Sequence, residues 1–189
     1  MRIHCLLVPI AVLATCACQI GGGGNHPLIG AVREGDIEKV RSLIDDRADP
    51  NLRAGVNNWT PLMHAVHYHQ TGSAIALLKG GADIDAFMPD GKTALMMAAG
   101  YGYTDMVRAL LDKGADSRLK THSGETALTF AVLGTADIDE FTLGKCQTQT
   151  VRLSLDRAPD LKLQDHLVDR AARWLAKHSG CEDVLAMVR

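Results

Sequence analysis

The sequence predicts an all-α repeat solenoid of about four to five repeats with degenerate terminal caps. Three observations predict it. Thr60-Pro61-Leu62, Thr93-Ala94-Leu95 and Thr126-Ala127-Leu128 recur every 33 residues, and Ala65, Ala98 and Ala131 follow at the same interval. Gly81-Ala82-Asp83 and Gly114-Ala115-Asp116 close two of these blocks, again 33 apart. Between opening and closing, apolar residues fall at helical spacing: Val40, Leu43 and Ile44, then Ala74, Leu77 and Leu78, then Val107, Leu110 and Leu111. A fixed period of this length marks a stack of small units, none of which can bury its apolar face alone.

The chain opens on a different object. Arg2 is a positive start, and Cys5 to Leu13 is an apolar core of signal-peptide length, too short to span a bilayer. Ala14-Thr15-Cys16-Ala17-Cys18 and the run Gly21 to Gly24 follow. These residues resemble a bacterial lipoprotein signal, in which a small residue precedes the modified cysteine. The resemblance implies cleavage after residue 17 and a lipid on Cys18, with Cys16 as the alternative because Leu13 stands three residues before it. A plain secretory signal is the other reading. Residues 18–26 are then a glycine-rich tether, of which 19 to 25 reach ~15 Å. The resemblance implies an exported protein on the periplasmic side of the outer membrane, since Gln19 is not aspartate; a soluble periplasmic or secreted product is the alternative.

The repeats occupy residues 27–144, as 27–57, 58–90, 91–123 and 124–144. Thr60 and Thr93 suit helix N-caps, Pro61 suits the first helical position, and Leu95, Ala98 and Ala99 mark one face of a short first helix. Gly114 stands where a second helix must stop, and Asp90-Gly91 and Ser123-Gly124 suit tight turns. After Ala131 the pattern weakens: Ile138, Phe141 and Leu143 are sparse for a helix and Gly144 comes early. Residues 145–164 read as an insertion, with Val151, Leu153 and Leu155 alternating as in a short strand. From residue 165 to 189 the helical period returns, on Leu167, Val168, Ala171, Ala172 and Leu175. Gly180, Asp183 and Val184 echo Gly102, Asp105 and Met106, which predicts a degenerate capping repeat.

The repeated residues resemble the ankyrin repeat. The family's T-P-L-H-x-A opening stands here as Thr60-Pro61-Leu62-Met63-His64-Ala65, with methionine where histidine is usual. The G-A-D closing is intact twice and stands as Arg47-Ala48-Asp49 in the first repeat, 34 residues before Asp83, so the loop around Gly55-Val56-Asn57-Asn58 holds one extra residue. The resemblance covers about residues 27 to 133 and implies helix–turn–helix units joined by β-hairpin fingers. It also implies a concave protein-binding face lined by fingers and first helices. Carried over, the finger positions are Trp59, Phe87, Lys92, Lys120 and Glu125, and the helix positions are Arg33, Glu34, His67, Tyr68 and Tyr101. Four of the chain's eight aromatic residues, Trp59, Tyr68, Phe87 and Tyr101, fall on this list, and large aromatics dominate binding hot spots. Trp59 and Tyr101 are expected to be unclaimed by the core, and Arg108 and Asp112 to pair at i, i+4 on the opposite face. The implied activity is non-catalytic binding of a protein partner in the cell envelope, as a scaffold or as an immunity protein neutralising a toxin or effector enzyme.

The remaining residues bear on other classes of function. Of five cysteines, three lie in the signal region; with Cys18 lipidated, Cys146 and Cys181 remain, as a disulfide or as two small apolar thiols. His64, His67 and His69 lie within six residues and offer a rival reading as a zinc or copper site. No G-x-S-x-G elbow and no P-loop occur, and no cofactor is implied. Met63, Met96, Met97 and Met106 recur at helix positions as core filler. The formal charge of −2 becomes −3 once residues 1–17 are removed, which does not suit nucleic-acid binding.

Overall fold

The computed structural model describes residues 26–54, 57–134, 145–163 and 167–188. The predicted signal peptide, Cys16, Cys18 and most of the tether lie outside them, as do Ile138, Phe141 and Leu143. Ten helices are described: α1 Pro27–Glu34, α2 Ile37–Asp45, α3 Pro61–His67, α4 Thr71–Lys79, α5 Ala94–Tyr101, α6 Thr104–Asp112, α7 Ala127–Leu133, α8 Thr148–Arg157, α9 Leu167–His178 and α10 Glu182–Met187. Odd-numbered helices pack in one row and even-numbered helices in a second, and each odd helix packs on the even helix that follows it. The result is a two-layer solenoid of helix pairs.

Local chemistry sets each unit. Thr60, Thr93 and Thr126 accept hydrogen bonds from the backbone N–H groups of Met63, Met96 and Thr129, each satisfying an orphan donor of an inner helix. His26, placed in the tether by sequence, instead caps α1, its Nδ1 accepting from Leu28 N–H at 3.3 Å. The turn between paired helices repeats too. The N–H groups of Asp36, Gln70, Tyr103 and Cys181 reach back to the carbonyls of Ala31, Ala65, Ala98 and Ala176. The residue before each, Gly35, His69, Gly102 or Gly180, has positive φ.

The Gly-Ala-Asp closings also gain a physical reason. Asp49, Asp83 and Asp116 each accept from the backbone N–H two residues on, at 2.8, 3.1 and 2.8 Å, so the periodic aspartate is a turn former. Asn51 bridges to the next unit, donating to the Gly81 carbonyl and accepting from Asp83 N–H. Gly91 has φ +88, and a Cβ there would stand 3.0 Å from His122 N and from Thr121 Cα. Two close-packed hairpins therefore require a glycine at that turn.

Two sequence expectations are corrected. The segment Val151–Leu155 is helical, not strand-like, and forms the middle of α8. Residues 145–164 are therefore not an insertion as a whole: α8 packs on α6, α7 and α10 as the outer helix of the fourth unit. The closing pair α9–α10 continues both rows as a fifth unit, but on α9 the buried residues are Asp169, Ala172 and Ala176, while Ala171 is exposed. Cys146 and Cys181 form a disulfide with Cα atoms 5.3 Å apart, tying the segment before α8 to the first turn of α10. Among the described residues no helix is long and apolar enough to cross a membrane.

Candidate concave binding face

The fingers and the inner helices present one continuous set of rings. Trp59, held by an isolated bridge to Ala54, lies 5.0 Å from His67 and 5.4 Å from His64 by ring centroids. His67 stands 5.0 Å from Tyr68 and 6.0 Å from Tyr101, and its Nδ1 shares a 3.1 Å hydrogen bond with the Tyr101 hydroxyl. Tyr101 leads on to Tyr103 at 5.3 Å, and Tyr103 stacks on His69 at 3.8 Å and 5°. The Arg33 guanidinium sits 5.0 Å over the Tyr68 ring. Successive repeats thus align their groove residues within contact distance.

The predicted groove residues divide by exposure. Phe87 is 61% exposed at a finger and Tyr68 is 38% exposed at the end of α3. Arg33, Glu34 and Lys120 are exposed as well. Tyr101 is not: it is 6% exposed and part of the core, contrary to expectation, and Trp59 is half-buried and packed against that core. Lys92 lies 5.2 Å over the Phe130 ring and 3.7 Å from Asp90. Glu125 is half-buried and accepts the Thr121 hydroxyl at 2.6 Å, which braces its own finger. On the outer face, Asp112 pairs with Arg157 of α8 rather than with Arg108.

The three histidines part company. His69 bonds the Asp105 carboxylate at 2.8 Å, and Thr71 donates to the other oxygen at 2.8 Å. Partial burial works against ionisation of Asp105, yet those two hydrogen bonds hold its carboxyl below the usual range. His67 turns to Tyr101. His64 has neither ring nitrogen hydrogen-bonded, and burial, then Arg33 and His67, push its pKa down to about 4. Among the described residues no three His, Cys, Asp or Glu side chains converge as metal ligands, so the rival metal reading has no site here.

Sequence reading missed several groove residues. Tyr103 occupies the repeat position of Asp36 and Gln70, and Phe130 that of His64 and Met97. The 33-residue register was the available signal for both. Arg53 was missed as well: it spans two fingers by donating to the carbonyls of Asn58 and Phe87.

Comparisons with known proteins agree with this geometry. The family description of ankyrin repeats in many copies matches residues 77–131, and that of three ankyrin copies matches residues 5–88. The chain therefore carries ankyrin repeats, and its fold is an all-α ankyrin solenoid. Such repeats are protein-interaction modules. Among curated proteins the chain is similar to Ankyrin repeat and SAM domain-containing protein 6 of Rattus norvegicus, 33% identical over 75 residues. That match covers 40% of this chain and 8% of that protein. It is also similar to 2-5A-dependent ribonuclease of Homo sapiens, 37% identical over 59 residues, covering 31% of this chain and 8% of that protein. The chain spans less than a tenth of either relative, so the likeness is one of repeats.

Proposed function

We propose that this chain is an exported, lipid-anchored and non-catalytic module that holds a protein partner in the bacterial cell envelope on its concave face. The observation that carries the reading is the placement of Phe87 and Tyr68, 61% and 38% exposed, beside the ring ladder rather than on the outer helices. An aromatic held in water by a rigid finger gains apolar contact only when a partner covers it. The export and anchor rest on the apolar run Cys5 to Leu13 and on Ala17-Cys18. Phe87→Ala/Tyr68→Ala removes both rings without opening the core. Truncating such hot spots costs ~2 kcal/mol or more, about thirtyfold in affinity. The control is Arg108→Ala/Arg152→Ala, two exposed side chains of the outer row, with an expected cost under ~0.5 kcal/mol. Affinity capture from envelope extracts, with melting curves for each variant, compares them. Loss of the captured protein by the outer-row variant alone overturns the concave reading.

A further inference from the structure

The inner helices do not carry equal side chains along the groove. The repeat position held by Arg33 in α1 and His67 in α3 is Gly100 in α5. Beside that glycine lies a hollow of about 40 Å³ bordered by Met88, Lys92, Met96, Met97, Tyr101 and Phe130. The side chains that line it are apolar apart from the Lys92 ammonium and the Tyr101 hydroxyl, and no carboxylate is among them. Building on the concave-face reading, we propose that this hollow receives one small aliphatic side chain of the partner, flanked by a partner carboxylate that pairs with Lys92.

Size and charge both select that occupant. A single water needs ~10–15 Å³ by the same measure, so the hollow takes about three waters or one branched aliphatic end, and an aromatic ring is too large. Three methionines, Met88, Met96 and Met97, line it, and thioether chains adapt their rotamers to an incoming group more readily than branched residues do. Lys92 lies over the Phe130 ring and meets Asp90 at 3.7 Å, with Asp90 57% exposed. An exposed pair of that kind contributes little, so a better-placed carboxylate displaces it at small cost. Asp90 also receives the Lys92 backbone N–H at 3.0 Å, which keeps its carboxylate in the finger after the ammonium turns away. The hollow is thus an anchor pocket with a cation at its mouth.

The test uses the full chain labelled with ¹³C at methionine methyls, and isovalerate as the probe, which joins a branched aliphatic end to a carboxylate. Titration is expected to shift the Met88, Met96 and Met97 methyls and to leave Met63 and Met106 unmoved. Acetate, which lacks the aliphatic end, and 3-phenylpropionate, which is too large, are expected to bind at least tenfold more weakly. Lys92→Gln weakens isovalerate about fivefold to tenfold. Gly100→Val fills the hollow and abolishes the shifts; where circular dichroism reports loss of helix, Met88→Phe serves as the filling variant. Equal shifts with acetate, equal shifts at the Met63 and Met106 methyls, or no shift at saturating isovalerate overturn the proposal. Partner capture separates it from the broader reading. A folded Gly100→Val chain that keeps the partner, while Phe87→Ala/Tyr68→Ala loses it, sinks the pocket and leaves the concave face standing. Retention by both variants sinks both.

Discussion

His64 sits edge-on to Trp59 with both ring nitrogens unpartnered, and its pKa falls from 6.5 to about 4 because burial, Arg33 and His67 all disfavour the imidazolium. The unfolded chain binds this proton near pH 6.5 and the folded chain only near pH 4, so acid favours unfolding across that window. The contribution is fully present above pH 6.5 and is lost as pH falls toward 4. Allowing for partial solvent screening, the loss amounts to about 1–2 kcal/mol. Urea midpoints measured from pH 7 to pH 4 are expected to fall more steeply in the wild type than in His64→Leu; parallel curves would show that this imidazole titrates freely. His69 illustrates a second departure at the same scale. It has φ 53 where neighbouring repeats use Gly35 and Gly102. Left-handed backbone at a non-glycine residue costs roughly 1–2 kcal/mol. Its stacking on Tyr103 and its bond to Asp105 offset that cost across the repeat boundary.

At the scale of the element, α8 explains where the sequence was legible and where it was not. The first three helix pairs could be read because each carries an apolar stripe in register, and the second and third also open on a capping threonine and close on Gly-Ala-Asp. In α8 the buried residues are Thr150, Val151, Leu153 and Ser154, and two of them are hydroxylic. Both hydroxyls are satisfied, Thr150 with Thr104 at 2.9 Å and Ser154 with the Thr150 carbonyl at 2.8 Å. A stripe made of satisfied polar groups leaves only Val151, Leu153 and Leu155 visible to a hydropathy reading, and those alternate. The same blindness hid Asp169, which is buried in α9 and accepts the Thr129 hydroxyl at 2.7 Å from α7. With such polar seams, the last two units gain from a covalent tie. The Cys146–Cys181 disulfide closes a 35-residue separation across α8, α9 and the start of α10. In the chain-entropy treatment that loop contributes about 3–4 kcal/mol. Thermal melts of Cys146→Ser/Cys181→Ser are expected to fall by roughly 6–15 °C, with hydrogen exchange rising first in α9 and α10. Unchanged protection there would mean that the terminal unit stands without its bridge.

Among the described residues the helix pairs form a one-dimensional stack, each packing chiefly on the units beside it, so the proposed function divides between groove and ends. The groove was legible in part: register put Phe87 and Tyr68 at positions that are exposed, but it could not tell that Tyr101 would be buried in the core and bonded to His67. Register reports which positions are equivalent, whereas burial depends on what the next repeat places opposite. At the amino-terminal end, α1 is capped by His26, two residues after the glycine run. Under the proposed anchor, the seven residues between Cys18 and His26 would span ~15 Å as a flexible glycine-rich coil. A single acyl chain holds a protein only marginally and reversibly, so stable anchoring needs the several chains of a lipoprotein-type modification. Growth with radiolabelled palmitate is expected to label the wild-type protein and to leave Cys18→Ser unlabelled and released to the soluble fraction. Label that persists in Cys18→Ser and disappears in Cys16→Ser moves the anchor two residues upstream. A wild-type chain that is processed without taking up any label is a plainly secreted protein, and the envelope tether is then wrong while the repeat stack and its groove are untouched.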